Sequence, residues 1–124
     1  MKAISISPEY ALDILAGNKK VEFRSWQTNH RGDLLICSTA KKIKGTIPGH
    51  ALIVCRLDNI KKISEKKYGW KLTDFRIIKP FPVKGQQRLY DVPDEKIIFV
   101  PEIDNGTEED ALEFVEKYFD PLFI

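Results

Sequence analysis

The stretch Gly17-Asn18-Lys19-Lys20-Val21-Glu22-Phe23-Arg24-Ser25-Trp26 constrains the fold of this chain more than any other. Just upstream, Ser7-Pro8-Glu9 reads as a helix start: a side-chain acceptor at the cap, proline in the first turn and an acid near the positive end. Ala11, Leu12, Ile14 and Leu15 then fall on one helical stripe, and Gly17 is placed to close the helix in a left-handed conformation. Beyond it polar and apolar residues alternate with the period of a strand, putting Lys20, Glu22 and Arg24 on one face and Val21 and Phe23 on the other. The expectation is that Val21 and Phe23 face the core and the charged face carries the chemistry. Lys2-Ala3-Ile4-Ser5-Ile6 also alternates, so the chain opens as strand, short helix, strand.

After the polar loop 27–31, Gly32-Asp33 leads into a third strand, Leu34-Leu35-Ile36-Cys37. A basic loop follows, with Lys41, Lys42 and Lys44 near the turn residues Gly45, Pro48 and Gly49. Ala51 to Leu57 is apolar enough for a central strand, expected to run to about Ile63 before a turn or short helix. Pro80 and Pro82 demote the second half of the run 74–85 to an edge or bulged segment. Gln86 to Tyr90 reads as a last short strand or a turn, and Ile97 to Val100 as an edge strand or packed loop. Thr107 caps a helix through about Tyr118, with Glu108, Glu109 and Asp110 at its positive end. Ala111, Leu112, Phe114, Val115 and Phe119 make its apolar side, and Pro121 ends it. Many short strands with helices near both ends indicate an α+β fold built on a small, strongly bent sheet or barrel.

The length of 124 residues suits one domain, residues 1–124, able to bury its own core without metal or disulfides. No apolar run approaches the roughly 18 residues of a membrane span and no signal peptide opens the chain, so the expected location is the cytosol. Cys37 and Cys55 lie inside apolar runs without C-x-x-C spacing and read as reduced core residues. His30 and His50 share no ligand spacing with them and read as exposed loop histidines, so no metal is expected. Charge is unevenly divided. Residues 1–90 hold 18 of the 20 basic residues and 7 of the 18 acidic ones, a net charge of +11, whereas residues 91–124 carry −9. Such a basic body suits a polyanion, although lysine-rich loops also serve solubility alone.

Lys19, Glu22 and Arg24 can be read in three ways. Glu22 and Arg24 can form a weak surface ion pair. They can line a cleft in which Arg24 holds a phosphate, Glu22 accepts from a base and Trp26, Tyr68 or Trp70 stacks on it. They can also form an acid–base site, with Glu22 as base and Lys19 or Arg24 as electrostatic partner. Strict alternation puts Lys19 on the Val21 face, so it joins Glu22 only if the strand starts irregularly after Gly17. Asp104-Asn105-Gly106 has part of a calcium loop but lacks the other ligands, and a turn before Thr107 accounts for it.

Gly17, Lys19, Glu22 and Arg24 fill the pattern G-x-K-x-x-E-x-R without substitution, and the stretch resembles the signature of the ASCH domain, a small β-barrel relative of the PUA RNA-binding modules. A second segment is similar to the same family: the aromatic pair Tyr68 and Trp70, then Pro80, Pro82, Lys84 and Gly85. The match covers residues 1–92 and leaves 93–124 as an acidic helical extension. The resemblance implies a PUA-like barrel of about five to six strands, with one helix after the first strand and one at the C-terminus. It implies single-stranded RNA or a nucleoside or nucleotide as ligand, with no cofactor, in a cleft around Lys19, Glu22 and Arg24. Trp26, Ser38, Thr39, Tyr68, Trp70 and Lys84 would flank it. Some relatives hydrolyse N4-acetylcytidine with a lysine and a threonine nucleophile, and others are described as ribonucleases. Lys19 matches that lysine, but Glu22 stands where the threonine does, and a carboxylate activates water rather than replacing an acyl-transfer hydroxyl. Three functions stay open: an RNA- or nucleotide-binding domain, a hydrolase of RNA or a modified nucleoside using Lys19 and Glu22, and a protein-interaction module using the acidic C-terminal helix.

Overall fold

The alternation of the first residues forms strand β1 (Lys2–Ile6), and Pro8 opens helix α1 (Pro8–Leu15). Ser7 does not cap it as expected; its hydroxyl donates instead to Glu9 Oε1 at 3.1 Å. Gly17 closes the helix at φ +81°, where a Cβ is disfavoured, and the N–H groups of Gly17 and Asn18 return to the carbonyls of Ile14 and Asp13 at 3.1 and 2.9 Å. This computed structural model describes residues 1–100 and 106–124.

Among the described residues, five further strands complete one mixed sheet: β2 (Val21–Arg24), β3 (Gly32–Ser38), β4 (His50–Ser64), β5 (Lys67–Pro82) and β6 (Leu89–Asp91). Their order is β2-β5-β4-β3-β1-β6, with only the β1–β3 pair parallel. The sheet does not close, since β2 and β6 are edges. Register shifts recur along β4 and β5, and such bulges bend and twist strands, consistent with a barrel-like fold. The proline-bearing end of β5 is bulged as expected. Ala51 pairs with Phe81 but Ile53 with Ile77, a short step on β4 against a longer one on β5.

Strand β3 is buried on both faces, as its unbroken apolar run requires. Leu34 and Ile36 join Ile4, Ile6, Ile53, Trp70 and Leu72 in one core, and Leu35 and Cys37 join Ala3, Val54, Ile78 and Tyr90 in the other. Burial pushes the Cys37 thiol up to about 11 and the Cys55 thiol up to about 12, so both stay protonated and unreactive. Ile14 of α1 and Phe119 near the C-terminus close the first core.

Strand β2 reverses the expected assignment of faces. Glu22 pairs with Trp70, Phe23 with Gly69 and Val21 with Lys71. Opposed residues share a face, and Trp70 is the large apolar body that must be buried, so Glu22 is carried inward with it. Glu22 is 5% exposed, whereas Val21 and Phe23 are 36% and 47% exposed. The histidines also differ from expectation. His50 begins β4, half-buried, with Nδ1 2.8 Å from the Pro48 carbonyl oxygen, and His30 is half-buried with Nε2 2.9 Å from that of Asp33.

Residues 97–100 form a packed segment along β5, with the Lys79 N–H donating to the Ile98 carbonyl at 2.9 Å and the Val100 N–H to that of Ile77 at 3.2 Å. Helix α2 (Glu108–Phe114) opens with a capping box: the Asp110 N–H donates to Thr107 Oγ1 at 3.2 Å and the Thr107 N–H to Asp110 Oδ2 at 3.1 Å. A π-helical turn (Val115–Phe119) and a 3-10 turn (Asp120–Leu122) follow. The expected apolar stripe is only partly used: Phe119 is buried and Ala111 and Phe114 half-buried, but Leu112 and Val115 stand in solvent. Among the described residues, no acid of α2 forms an ion pair with the basic body. The turn read at Asp104-Asn105 lies outside the described residues. No described helix is long and apolar enough to cross a membrane.

Candidate functional site

The end of β2 delivers Arg24 and, two residues on, Trp26 to one side of an open cleft of about 750 Å³. Trp70 fixes Trp26 from within. Its indole Nε1 donates to the Trp26 carbonyl at 3.2 Å, and the rings stand at 83° with centroids 4.8 Å apart. The Arg88 and Arg24 guanidinium carbons lie 5.2 and 5.9 Å from the centroid of the Trp26 ring, within cation–π range. Arg88 holds φ +59°, a strained backbone for a non-glycine residue, and lines the cleft with Lys84. Among the described residues, three cations line this cleft and no carboxylate does.

The loop after β5 closes over β1 at Gly85. A Cβ there would stand 2.7 Å from Ser5 Oγ, so a side chain would push the Ser5 hydroxyl off its partner, the Tyr90 hydroxyl at 2.6 Å. Ser5 and Thr39 supply hydroxyls to the cleft, and Gln86 and Gln87 supply amides. The volume lies within the range of pockets for small organic ligands, and the lining offers donors, acceptors, an aromatic face and positive charge.

Lys19 and Glu22 meet outside this lining. The strand begins only at Val21, so residues 17–20 escape strict alternation, and Lys19 Nζ reaches 3.8 Å from Glu22 Oε1. The Phe23 N–H donates to the same oxygen at 2.9 Å, while Oε2 is buried without a partner among the described residues. Burial holds the carboxyl above the usual glutamate range, opposed by the charges of Lys19 and Arg24 and by the Phe23 N–H.

The structure therefore divides the residues read from sequence. Arg24, Trp26, Thr39 and Lys84 line the cleft, and Lys19 with Glu22 forms a pair beside it on β2. Ser38 and Trp70 are scaffold: Ser38 Oγ accepts from the His50 N–H at 3.1 Å and donates to the His50 carbonyl at 3.3 Å, tying β3 to the start of β4. Tyr68 lies half-buried against the core, paired with Arg24. Sequence reasoning missed Ser5 and Arg88. The signal for Ser5 was a hydroxyl inside an otherwise apolar alternation, and for Arg88 a polar run bounded by Gly85 and Leu89. Among the described residues no group of His, Cys, Asp and Glu is arranged to hold a metal ion.

The family model of the ASCH domain matches residues 4–104. The chain belongs to the ASCH domain family. Its structure is similar to that of the ASCH protein of Zymomonas mobilis, with a TM-score of 0.60 and 19% identity over 77% of this chain and 89% of that one. Two single-residue variants of that protein are similar at TM-scores of 0.55 and 0.57, with 18% and 17% identity; they cover 93% and 94% of this chain and 96% and 94% of their own. At such identity the likeness shows the fold alone. No curated protein matches the sequence. At the family level ASCH domains are PUA-like and bind nucleic acid, which fits a cationic cleft with an aromatic wall.

Proposed function

We propose that this ASCH domain binds single-stranded RNA or a nucleotide in the cleft between the end of β2 and the loop 83–88. A base rests against Trp26 or an adjoining guanidinium plane, and phosphates take Arg24, Lys84 and Arg88. The observation that carries this reading is Trp26 within cation–π range of two guanidiniums, in a cleft whose charged lining among the described residues is all cationic. Bases stack on aromatic and guanidinium planes, and phosphates repay the mutual repulsion of clustered cations. In this reading residues 1–124 act as one unit, because Phe119 packs into the same core as Ile14.

Fluorescence anisotropy of a labelled, mixed-sequence single strand across a salt series tests it. Trp26→Ala should weaken binding by about 1–3 kcal/mol. Three phosphate contacts should give a slope of log affinity on log salt near about −2. Unchanged affinity in both Trp26→Ala and Arg24→Ala would sink the reading.

Glu22 supports a second reading. A carboxyl with a raised pKa and an unpartnered oxygen, 3.8 Å from a lysine, is a candidate general base for hydrolysis of RNA or a modified nucleoside. Under it, the same RNA on a denaturing gel is cut by the native chain and left whole by Glu22→Gln.

A further inference from the structure

The alternation that turns Glu22 inward turns Val21 and Phe23 outward, onto a face that contributes nothing to the cleft lining. Register places Phe23, Gly69 and Lys61 in one row across β2, β5 and β4, and Val21, Lys71 and Asn59 in another. Gly69 offers no side chain, so its neighbours lean over its backbone: Val21 Cγ1, Phe23 Cε1 and Ile63 Cδ1 lie 3.5, 3.6 and 3.8 Å from where a Cβ would stand. A shallow apolar floor results, with Phe23 47% and Ile63 52% exposed. Ammonium groups ring it. Lys67 Nζ lies 4.7 Å and Lys19 Nζ 5.4 Å from the Phe23 ring centroid. Among the described residues Glu65 pairs with Lys62, and Asp58 with Arg56 and Lys71, leaving Lys61, Lys66 and Lys67 without an ion-pair partner.

A protein partner fits this composition poorly, because lysine is depleted from the cores of protein–protein interfaces. An exposed aromatic ring among unpaired cations is instead the arrangement that tracks single strands, bases on the ring and phosphates along the ammonium groups. We infer that the outer face of β2 and the β4–β5 hairpin is a second surface for single-stranded nucleic acid, with a base stacked on Phe23 and phosphates on Lys61, Lys66 and Lys67. It goes beyond the cleft and does not depend on it. Both surfaces use β2, so a strand that wraps around this edge of the sheet reaches both.

Anisotropy and stoichiometry with single strands of about 4 and about 16 nucleotides separate the two surfaces. The native chain should take two of the short strands, and Phe23→Ala and Arg24→Ala one each. With the long strand, Phe23→Ala should lose about tenfold or more in affinity. Replacing Lys61, Lys66 and Lys67 together by Gln should flatten the salt slope by about 2. Every changed residue here is exposed or half-exposed, and circular dichroism checks that the variants fold. One short strand per native chain, with long-strand affinity untouched by Phe23→Ala, overturns the inference and leaves the cleft standing. Loss in Phe23→Ala with both Trp26→Ala and Arg24→Ala silent upholds it and removes the cleft. Self-association that Phe23→Ala abolishes while nucleic-acid affinity stays the same assigns the face to a second copy and overturns the inference.

Discussion

Glu22 is where packing and charge conflict most directly. Its carboxyl is carried inward by pairing with Trp70, meets one cation at 3.8 Å and one backbone N–H, and keeps an oxygen with no partner among the described residues. Because burial raises its folded-state pKa above the unfolded value, the protonated form is the better accommodated one. The stability this group contributes is fully present below the ordinary glutamate value of about 4.3 and is lost as pH rises through the raised folded value. Glu22→Gln should therefore melt higher than the native chain at neutral pH, with the gap closing on acidification. Thermal denaturation across pH measures this; a gap that widens in acid would show that Lys19 outweighs burial and that the sign is reversed. The sequence named this glutamate but not its environment, because alternation assigns residues to two faces without saying which face is inside. What decides that lies 48 residues downstream, at Trp70, and only the β2–β5 register reveals it.

Local rules carried the elements further than they carried the site. Pro8 and Gly17 bound α1, the run from Leu34 makes a strand buried on both faces, and Thr107 caps α2, all as local chemistry dictates. Ser5 and Arg88 reach the cleft only through the β1–β6 pairing and the loop that Gly85 closes, contacts between parts of the chain far apart in sequence. The C-terminal helix shows the same limit, since the π-helical turn changes which residues face the sheet after Phe114. Phe119 should then be the anchor. Phe119→Ala should cost about 3–5 kcal/mol of stability, whereas Leu112→Ala, at 57% exposure, should stay within about 0.5 kcal/mol. Urea denaturation of the two variants checks this, and equal losses would mean that the helix packs on the stripe read from its sequence.

The division of charge between a body at +11 and a C-terminal segment at −9 sets how the whole molecule meets a polyanion. Residues 91–94 use two of those acids locally: Asp94 holds the N-terminal ammonium at 2.7 Å and Asp91 holds Lys2 at 3.0 Å. The acids of α2 make no such contact with the body among the described residues, and none of them lines the Arg24 and Arg88 cleft. They oppose an incoming strand only through space, and fields between exposed charges fade over a Debye length of about 8 Å at physiological salt. Replacing Glu108, Glu109, Glu113 and Glu116 by Gln should leave the melting temperature nearly unchanged, because all four are exposed. Affinity for single-stranded RNA should rise at low ionic strength, where the Debye length is about 30 Å, and the gain should vanish near physiological salt. Anisotropy at the two salt concentrations reads the difference directly. A gain that survives high salt would mean that the acidic helix competes for the cleft by contact, which is the behaviour of a built-in inhibitor rather than of a solvated tail.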